Sequence, residues 1–340
     1  MMKSKKVLLT GITGFVGSHT AIQLLDKGYE VIGTLRNQKR QTSIEQVIRQ
    51  HATSTDLLSF VEIDLGAPLE KWQAVMQGVD YVLHIASPFP TKLPKNEDDL
   101  ILPAKNGTLN VLKAATYSKV KRVVMTSSTG AAAYGRRKIG EFTEKDWTDI
   151  TNKKDTTPYF RSKTVAEKAA WDYINSTANA PELVTILPGA ILGPVLEKDF
   201  GNSANIVKKM LDGSMPALPK IGFEIVDVRS VADAHIRALE TPQAAGNRYL
   251  CANGFLEFKE VAQILKAGYP KRKIPRKILP NFMVRLFSNI DPETKPVLLE
   301  LGTRRAVNHR KIKEELQWKP ISVKQSVLDC ADSLIDLDLV

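Results

Sequence analysis

Near its amino terminus the chain carries the stretch Val7-Leu8-Leu9-Thr10-Gly11-Ile12-Thr13-Gly14-Phe15-Val16-Gly17, in which an apolar run meets three glycines spaced three residues apart. A helical pattern follows from Ser18 to Lys27. Only glycine lets a strand turn sharply into a helix while a pyrophosphate comes into contact with the backbone. We expect N–H groups at the start of this helix to hold the anion. The candidate contacts in this turn are Gly11, Thr13, Gly14, Phe15, Val16 and Gly17.

Apolar, β-rich segments alternate with helical patterns over more than half of the chain. The predicted strands cover residues 7–11, 30–36, 57–65, 81–87, 122–128 and 182–192. The clearest helical patterns, with apolar residues at spacings of three and four, cover 18–27, 98–118 and 159–176. Such alternation predicts an α/β protein with a doubly wound parallel sheet, the Rossmann fold.

The alternation fades from about residue 193, where prolines and glycines become frequent and a short strand-like segment stands at Ile225-Val226-Asp227-Val228. We therefore expect a Rossmann domain over residues 1–190, which binds the dinucleotide and carries the catalytic residues. Residues 191–340 should form a smaller, mainly substrate-binding lobe. A segment at about 222–240 should return to the Rossmann body.

Composition favours a soluble cytoplasmic enzyme. Of the 340 residues, 43% are hydrophobic and 25% are charged, and no apolar run is long enough for a membrane helix. Cys251 and Cys330 lie far apart, which predicts neither a metal site nor a disulfide framework. The net charge of +11 suits a phosphate-rich ligand, but the chain shows no nucleic-acid recognition motif, so no nucleic-acid or membrane partner is expected.

The residues after the second predicted strand indicate which dinucleotide binds. A fold that prefers NAD offers a carboxylate there for the ribose hydroxyls, whereas this chain offers Arg36, Lys39 and Arg40. Cations at this place would bind the 2′-phosphate of NADP. The ends of the next two strands provide further candidate cofactor contacts, namely Asp64, Leu65, Ala86 and Ser87. His84, within the fourth strand, is expected to be a packed core histidine.

A candidate catalytic set follows later in the chain. Tyr159 and Lys163 are spaced i and i+4, which places them on one face of the helix that begins near Pro158. A phenol has a pKa of about 10 and needs a nearby positive charge to exchange protons near neutrality, which Lys163 provides. Ser128, at the end of the fifth predicted strand, could hydrogen-bond a substrate carbonyl.

In this order, these motifs resemble the extended short-chain dehydrogenases/reductases. Within them the chain is most similar to the dihydroflavonol reductase, cinnamoyl-CoA reductase and aldehyde (methylglyoxal) reductase group, over nearly its whole length. Six further segments are similar to the family's sequences, namely Thr126-Ser127-Ser128, His84-Ile85-Ala86-Ser87-Pro88, Leu187-Pro188-Gly189, Gly193-Pro194, Asp227-Val228-Arg229 and Asp233-Ala234-His235. The tail from Ile290-Asp291-Pro292 to Leu301-Gly302, with Leu316-Gln317-Trp318, looks like the microbial aldehyde reductases of the group.

The resemblance implies NADPH-dependent reduction of an aldehyde or ketone to an alcohol, with Ser128, Tyr159 and Lys163 as the catalytic residues. It also implies that Pro188, Gly189 and Ala190 pass near the nicotinamide. Plant dihydroflavonol reductases carry an asparagine that binds the flavonoid hydroxyls five residues after the catalytic serine, where this chain has Ala133. A dihydroflavonol substrate is therefore not expected.

Two other functions stay open at this point. A sugar-nucleotide epimerase or dehydratase can share the fold and the same three catalytic residues, but such enzymes usually retain NAD tightly. A non-catalytic NADP-sensing regulator would not need the proton donor Tyr159. The regulator would bind a partner protein, whereas the partner expected for the reductase is a small-molecule carbonyl substrate. The protein is expected to be a monomer or homodimer.

Overall fold

The computed structural model describes residues 4–88, 94, 96–136, 140–198, 200–201, 203–290 and 297–340, with the backbone alone over 287–290. Asp291 and Pro292, which contribute to the resemblance of the tail, lie outside the described residues. The strands are β1 (Lys6–Thr10), β2 (Glu30–Leu35), β3 (Leu58–Glu62), β4 (Tyr81–His84), β5 (Arg122–Thr126), β6 (Glu182–Pro188), β7 (Ala190–Leu192), β8 (Leu218–Pro219), β9 (Gly222–Asp227), β10 (Arg248–Cys251), β11 (Phe255–Glu257) and β12 (Ile278–Leu279).

The helices alternate with the strands in the first part of the chain and dominate the last part. They are α1 (Phe15–Asp26), α2 (Gln41–His51), α3 (Leu69–Val75), α4 (Asp98–Tyr117), α5 (Pro158–Ser176), α6 (Ala204–Leu211), α7 (Val228–Glu240), α8 (Phe258–Gly268), α9 (Asn281–Ile290), α10 (Arg310–Glu315) and α11 (Val323–Asp336). Within the described residues, no helix is both long enough and apolar enough to span a bilayer.

The largest sheet has seven parallel strands in the order β10-β6-β5-β4-β1-β2-β3. Helices cover both of its faces, because successive side chains of each strand point to opposite sides. Val7 and Leu9 of β1 join a buried cluster with α1, α2 and α7, whereas Leu8 joins a second cluster with α3, α4 and α5. The predicted doubly wound Rossmann fold is confirmed.

One prediction about the strands was wrong, and one strand of the large sheet was not predicted. The segment 182–192 is not one strand: β6 belongs to the large sheet, whereas β7 pairs with β9 in a separate three-stranded sheet. The break falls at Gly189, where a Cβ would stand 2.3 Å from the Glu224 carbonyl oxygen. The sequence analysis also missed β10, which pairs with β6 and forms an edge of the large sheet.

The carboxyl-terminal part has its own apolar cluster, built mainly from α6, α8 and α11 and from strands of the smaller sheets. The strand-like segment at 225–228 is found as β9, which extends over Gly222–Asp227. The helix that follows, α7, packs against α1 and contributes Val231, Ala234 and Ile236 to the core of the large sheet. The chain therefore returns to the first core after β7.

Candidate active site

The glycine turn joins the carboxyl end of β1, an interior strand of the large sheet, to α1. Gly11 has a φ of +76°, and a Cβ there would come within 3.0 Å of the Ala86 backbone. A Cβ on Gly17 would stand 1.9 Å from the Gly11 carbonyl oxygen, so only glycine allows this approach of helix and turn. Helix α1 begins at Phe15, earlier than the expected Ser18, because the Ser18 N–H already donates to the Gly14 carbonyl.

The amino-terminal end of α1 has the properties of an anion site. Gly14 is its N-cap and provides no side-chain hydrogen bond, and the first turn contains no acidic residue. The positive end of the helix dipole is therefore not compensated by a local carboxylate. Thr13 and Val16 are half-buried at this end, and Phe15 packs against the carboxyl-terminal cluster.

His84 supports the turn from beneath, as the sequence predicted for a packed histidine. Its Nδ1 lies 3.0 Å from the Thr10 hydroxyl, its Nε2 lies 3.5 Å from the Thr108 hydroxyl, and burial lowers its pKa to about 3. The Thr10 hydroxyl in turn accepts a hydrogen bond from the Ala86 N–H. A neutral histidine thus connects β1 and β4 where Ala86 meets Gly11.

The basic loop after β2 holds the three predicted cations in two different environments. Arg36 and Lys39 are exposed. Arg40 is ion-paired with Glu197, at 2.7 and 2.8 Å from its two carboxylate oxygens, and also donates to Ser43. Any anion that binds Arg40 must therefore compete with a carboxylate from a distant part of the chain.

The other predicted cofactor contacts at the strand ends have ordinary local roles. The Asp64 carboxylate accepts a hydrogen bond from the Gly66 N–H, and Leu65 packs against Gly107 of α4. Ser87 is half-buried, one residue beyond Ala86. Pro188 ends β6, the Gly189 N–H donates to the Cys251 carbonyl, and Ala190 begins β7.

Two turns bring the side chains of Ser128 and Tyr159 together, a 3₁₀ turn after β5 and the first turn of α5. Ser128 caps a 3₁₀ turn over Thr129–Ala131, where its hydroxyl oxygen accepts the Gly130 N–H at 3.0 Å. Tyr159 lies in the first turn of α5, which is capped by the Thr157 side chain. The hydroxyls of Ser128 and Tyr159 are hydrogen-bonded to each other, although burial raises the pKa of Tyr159 to about 12.

Lys163 lies one helical turn beyond Tyr159 and is buried. Its Nζ donates to the Thr126 carbonyl at 3.2 Å, which directs the side chain toward the end of β5 that carries Ser128. Burial lowers the pKa of Lys163 to about 8, and the Glu167 carboxylate opposes this shift. The ammonium is therefore charged at neutral pH and can lose its proton under mildly alkaline conditions.

A buried network surrounds Glu167, which has no exposed surface and was not predicted as a functional residue. Its carboxylate accepts hydrogen bonds from Ser127 at 2.6 Å and Thr185 at 2.7 Å, and pairs with Arg248 at 2.7 Å. The spacing Tyr159, Lys163, Glu167 extends the same helix face by one turn and was a visible signal. Nothing in the sequence near Arg248 of β10 indicated that it pairs with Glu167.

We compared the chain with known proteins. The sequence model of the NAD dependent epimerase/dehydratase family matches residues 7–252 of the chain. Cinnamoyl-CoA reductase 1 of Arabidopsis thaliana is 33% identical over 333 residues, covering 97% of this chain and 89% of that protein. An anthocyanidin reductase ((2S)-flavan-3-ol-forming) of Vitis vinifera is 33% identical over 286 residues, covering 80% of this chain and 83% of that protein.

A solved structure of Gre2 from Candida albicans, in complex with NADPH, matches 98% of this chain and 99% of its own. The TM-score is 0.78 and the sequence identity is 28%. The predicted resemblance to extended short-chain dehydrogenases/reductases is confirmed by these relatives. Since the family model covers well over half of the sequence, the chain belongs to the NAD dependent epimerase/dehydratase family.

Proposed function

We propose that this protein uses NADPH to reduce an aldehyde or ketone to an alcohol, with Tyr159 as the proton donor. The observation that carries the proposal is the contact between the Ser128 and Tyr159 hydroxyls, with the Lys163 ammonium one helical turn away. Relatives that align over four fifths or more of the chain are named reductases, which supports the same chemistry.

The residues present fit the dinucleotide. The turn at Gly11, whose Cβ would meet the Ala86 backbone, and the start of α1 would hold the pyrophosphate. Arg36, Lys39 and Arg40 would hold the 2′-phosphate of the adenosine ribose. Asp64 and Leu65 would border the adenine side. Ala86, Ser87, Pro188, Gly189 and Ala190 would border the nicotinamide side, where the bound cofactor would supply the hydride.

Each catalytic side chain has a separate task in this proposal. Ser128 holds the substrate oxygen by a hydrogen bond, which fixes it beside the Tyr159 hydroxyl. Tyr159 stays protonated at neutral pH because burial raises its pKa to about 12, so it has a proton to give. Lys163 contributes a positive charge that stabilises the phenolate left after the transfer.

An assay of NADPH oxidation with a panel of aldehydes, ketones and diketones tests the proposal. We expect turnover with the unmodified protein. Tyr159→Phe should lower kcat by about 1000-fold or more while NADPH affinity changes by less than about twofold, because the hydroxyl acts in proton transfer. Tyr173→Phe is the matched control, because it removes another phenol of the same helix, one whose hydroxyl donates to Thr116.

The outcomes distinguish the remaining functions. Absence of turnover on every carbonyl would refute the reductase, and tight co-purification of NAD with isomerisation of a nucleotide sugar would establish the epimerase. If the protein binds NADPH but reduces no carbonyl, and if Tyr159→Phe leaves the NADPH affinity unchanged, the protein is the NADP-sensing regulator. The basic loop favours an NADP(H) enzyme over an NAD-retaining epimerase, because cations stand where NAD enzymes of this fold place a carboxylate.

The division of the chain is part of the same proposal. Residues 1–190 would bind the cofactor and carry the catalytic residues, and residues 191–340 would mainly bind the substrate. The segment at about 222–240 would support the Rossmann body. Cytoplasmic location and a monomeric or homodimeric state remain predictions.

A further inference from the structure

A pocket of about 450 Å³ lies at the amino ends of the strands of the large sheet. Residues at the starts of β1, β4, β5 and β6 line it, and the end of α7 closes it. The glycine turn and Ser128 follow the carboxyl ends of strands, so the proposed active site lies at the opposite end of the sheet. The volume is in the range of small-molecule sites, and the proposed carbonyl reduction uses none of the lining residues.

Most polar groups of this pocket are engaged within the protein. Arg122 is buried and donates to the Glu182 carboxylate at 2.7 Å, and its other N–H groups donate to backbone carbonyls at the end of α7 and just after it. The Tyr29 hydroxyl donates to Glu240 at 3.1 Å, and Lys27 pairs with the same carboxylate. Both carboxylates that line the pocket are thus neutralised by cations of the protein itself.

The hydroxyl of Tyr81 is not engaged in this way. Tyr81 is the first residue of β4, lines the pocket and is only 5% exposed. Within the described residues its hydroxyl has no hydrogen-bond partner. A polar group without a partner on a buried side chain is costly, and its place in a pocket indicates a ligand group that completes it.

Two lysines stand on either side of Tyr81. The strands β1 and β5 are the neighbours of β4 in the sheet, and Lys5 and Lys121 are the residues that directly precede them. The Nζ of Lys5 lies 5.6 Å from the centre of the Tyr81 ring. Both lysines are exposed and line the pocket, and neither forms an ion pair in the part of the chain that the structure describes. Since adjacent strands lie about 4.8 Å apart, the two backbones are separated by about 10 Å.

The chemistry of these three groups defines the ligand. Two ammonium groups and a phenol hydroxyl can all donate, so the ligand must accept hydrogen bonds and carry negative charge. A phosphate monoester offers three acceptor oxygens and a charge near −2, which the two lysines compensate. A cation would be repelled by the same lysines. A phosphate group alone fills only a small part of the pocket, so there is room for an organic group.

We propose that this pocket binds a small phosphate monoester, whose phosphate contacts Lys5, Lys121 and the Tyr81 hydroxyl. Its organic group lies against Leu239 and Pro242, which complete the pocket at the end of α7. The site is separate from the proposed active site, and its occupation does not depend on carbonyl reduction.

The test is a calorimetric titration of the protein with phenyl phosphate, inorganic phosphate, benzoate and phenol in the presence of excess NADPH. We expect phenyl phosphate to bind about 5- to 20-fold more tightly than inorganic phosphate, because its ring buries apolar surface. Benzoate and phenol should bind at least about fivefold more weakly than phenyl phosphate, since they lack the third acceptor oxygen or the charge.

Variants with matched controls assign the binding to this pocket. Tyr81→Phe removes only the hydroxyl and should weaken phenyl phosphate binding by about 5- to 10-fold, and Lys5→Gln and Lys121→Gln should each have an effect of similar size. Tyr117→Phe and Lys113→Gln remove an exposed phenol and an exposed ammonium of α4 and should leave the affinity unchanged. NADPH affinity should stay the same in all five variants.

Three results would overturn the proposal. The first is that phenyl phosphate does not bind, or that benzoate binds as tightly. The second is that Tyr81→Phe and Lys121→Gln weaken binding no more than the two controls do. The third is that Arg36→Met, in the basic loop after β2, abolishes phenyl phosphate binding while Tyr81→Phe does not, because the phosphate then occupies the proposed cofactor site. None of these measurements depends on turnover, so they leave the reductase proposal to its own assay.

Discussion

At the scale of single residues, Lys163 gives the proposed active site its expected pH dependence. Burial lowers its pKa to about 8, so the ammonium is charged below that pH and is lost as the pH rises through it. Reductive kcat should therefore fall above about pH 8, by about tenfold per pH unit, as the charge that stabilises the Tyr159 phenolate disappears. A pH series at saturating NADPH measures this.

Lys163→Arg provides the decisive comparison, because a guanidinium keeps its charge throughout the range. Its activity, although lower, should no longer decline near pH 8. Lys168→Arg, an exposed lysine on the same helix, should keep the decline of the unmodified protein. An unchanged decline in Lys163→Arg would show that another group titrates.

Single residues of the candidate site could be predicted from the sequence where the helical spacing alone places their side chains. The spacing of Tyr159 and Lys163 placed both on one face of α5, and Pro158 marked where that helix begins. The partners of Arg40 and the environment of Glu224 could not be predicted in this way, because Glu197 and Val307 are distant in sequence. Their contacts depend on how the two sheets meet.

At the scale of secondary-structure elements, Glu167 connects α5 to three strands of the large sheet. Ser127 follows β5, Thr185 belongs to β6 and Arg248 to β10, and all three donate to this one carboxylate. Helix α5, which carries the proposed catalytic residues Tyr159 and Lys163, is thereby fixed relative to the strand end that carries Ser128.

Glu167→Gln should destabilise the protein by about 3–5 kcal/mol, because it leaves the buried Arg248 guanidinium without its counter-charge. Urea denaturation measures the change. Adding Arg248→Met should recover part of the loss, since no unpaired charge remains. Asp212→Asn, which breaks the partly exposed Lys208 pair, should cost less than about 1 kcal/mol. Equal effects of Glu167→Gln and Asp212→Asn would contradict the role of the network.

The elements themselves were largely predictable from apolar alternation and from glycine and proline positions. The exceptions have clear physical reasons. The segment 182–192 reads as one continuous apolar strand, but the approach of Gly189 to the Glu224 backbone divides it between two sheets. Arg248–Cys251 lies beyond residue 193, where the regular alternation of strands and helices fades, and it is recognised as a strand only by its pairing with β6.

At the scale of the whole molecule, the segment that follows β7 contacts both α1 and the basic loop after β2, two parts of the proposed cofactor site. The Pro194 carbonyl lies 2.9 Å from Nε2 of His19 in α1, and Glu197 reaches across to Arg40 after β2. The segment after β7 and the loop after β2 are thus linked through the Arg40 guanidinium, the same group that would bind the 2′-phosphate. Cofactor binding and this link should therefore compete.

Glu197→Gln should strengthen NADPH binding by about two- to fivefold, because the phosphate no longer competes with a carboxylate for Arg40. NADH affinity should stay unchanged, since NADH lacks the phosphate. Fluorescence titrations at low salt measure both. In an Arg40→Met background the gain should vanish. A gain of equal size for NADH would show that Glu197 acts on something other than the 2′-phosphate.

The edge strand β10 has a consequence for biosynthesis. During translation the strands β1 to β6 leave the ribosome well before residues 248–251, so the nascent sheet carries an unpaired edge at β6 while the remaining segments are made. Over the same interval Glu167 is synthesised without its cationic partner. Helix α5 can therefore reach its final position only late in synthesis, and release of a truncated chain before Arg248 would leave an aggregation-prone edge.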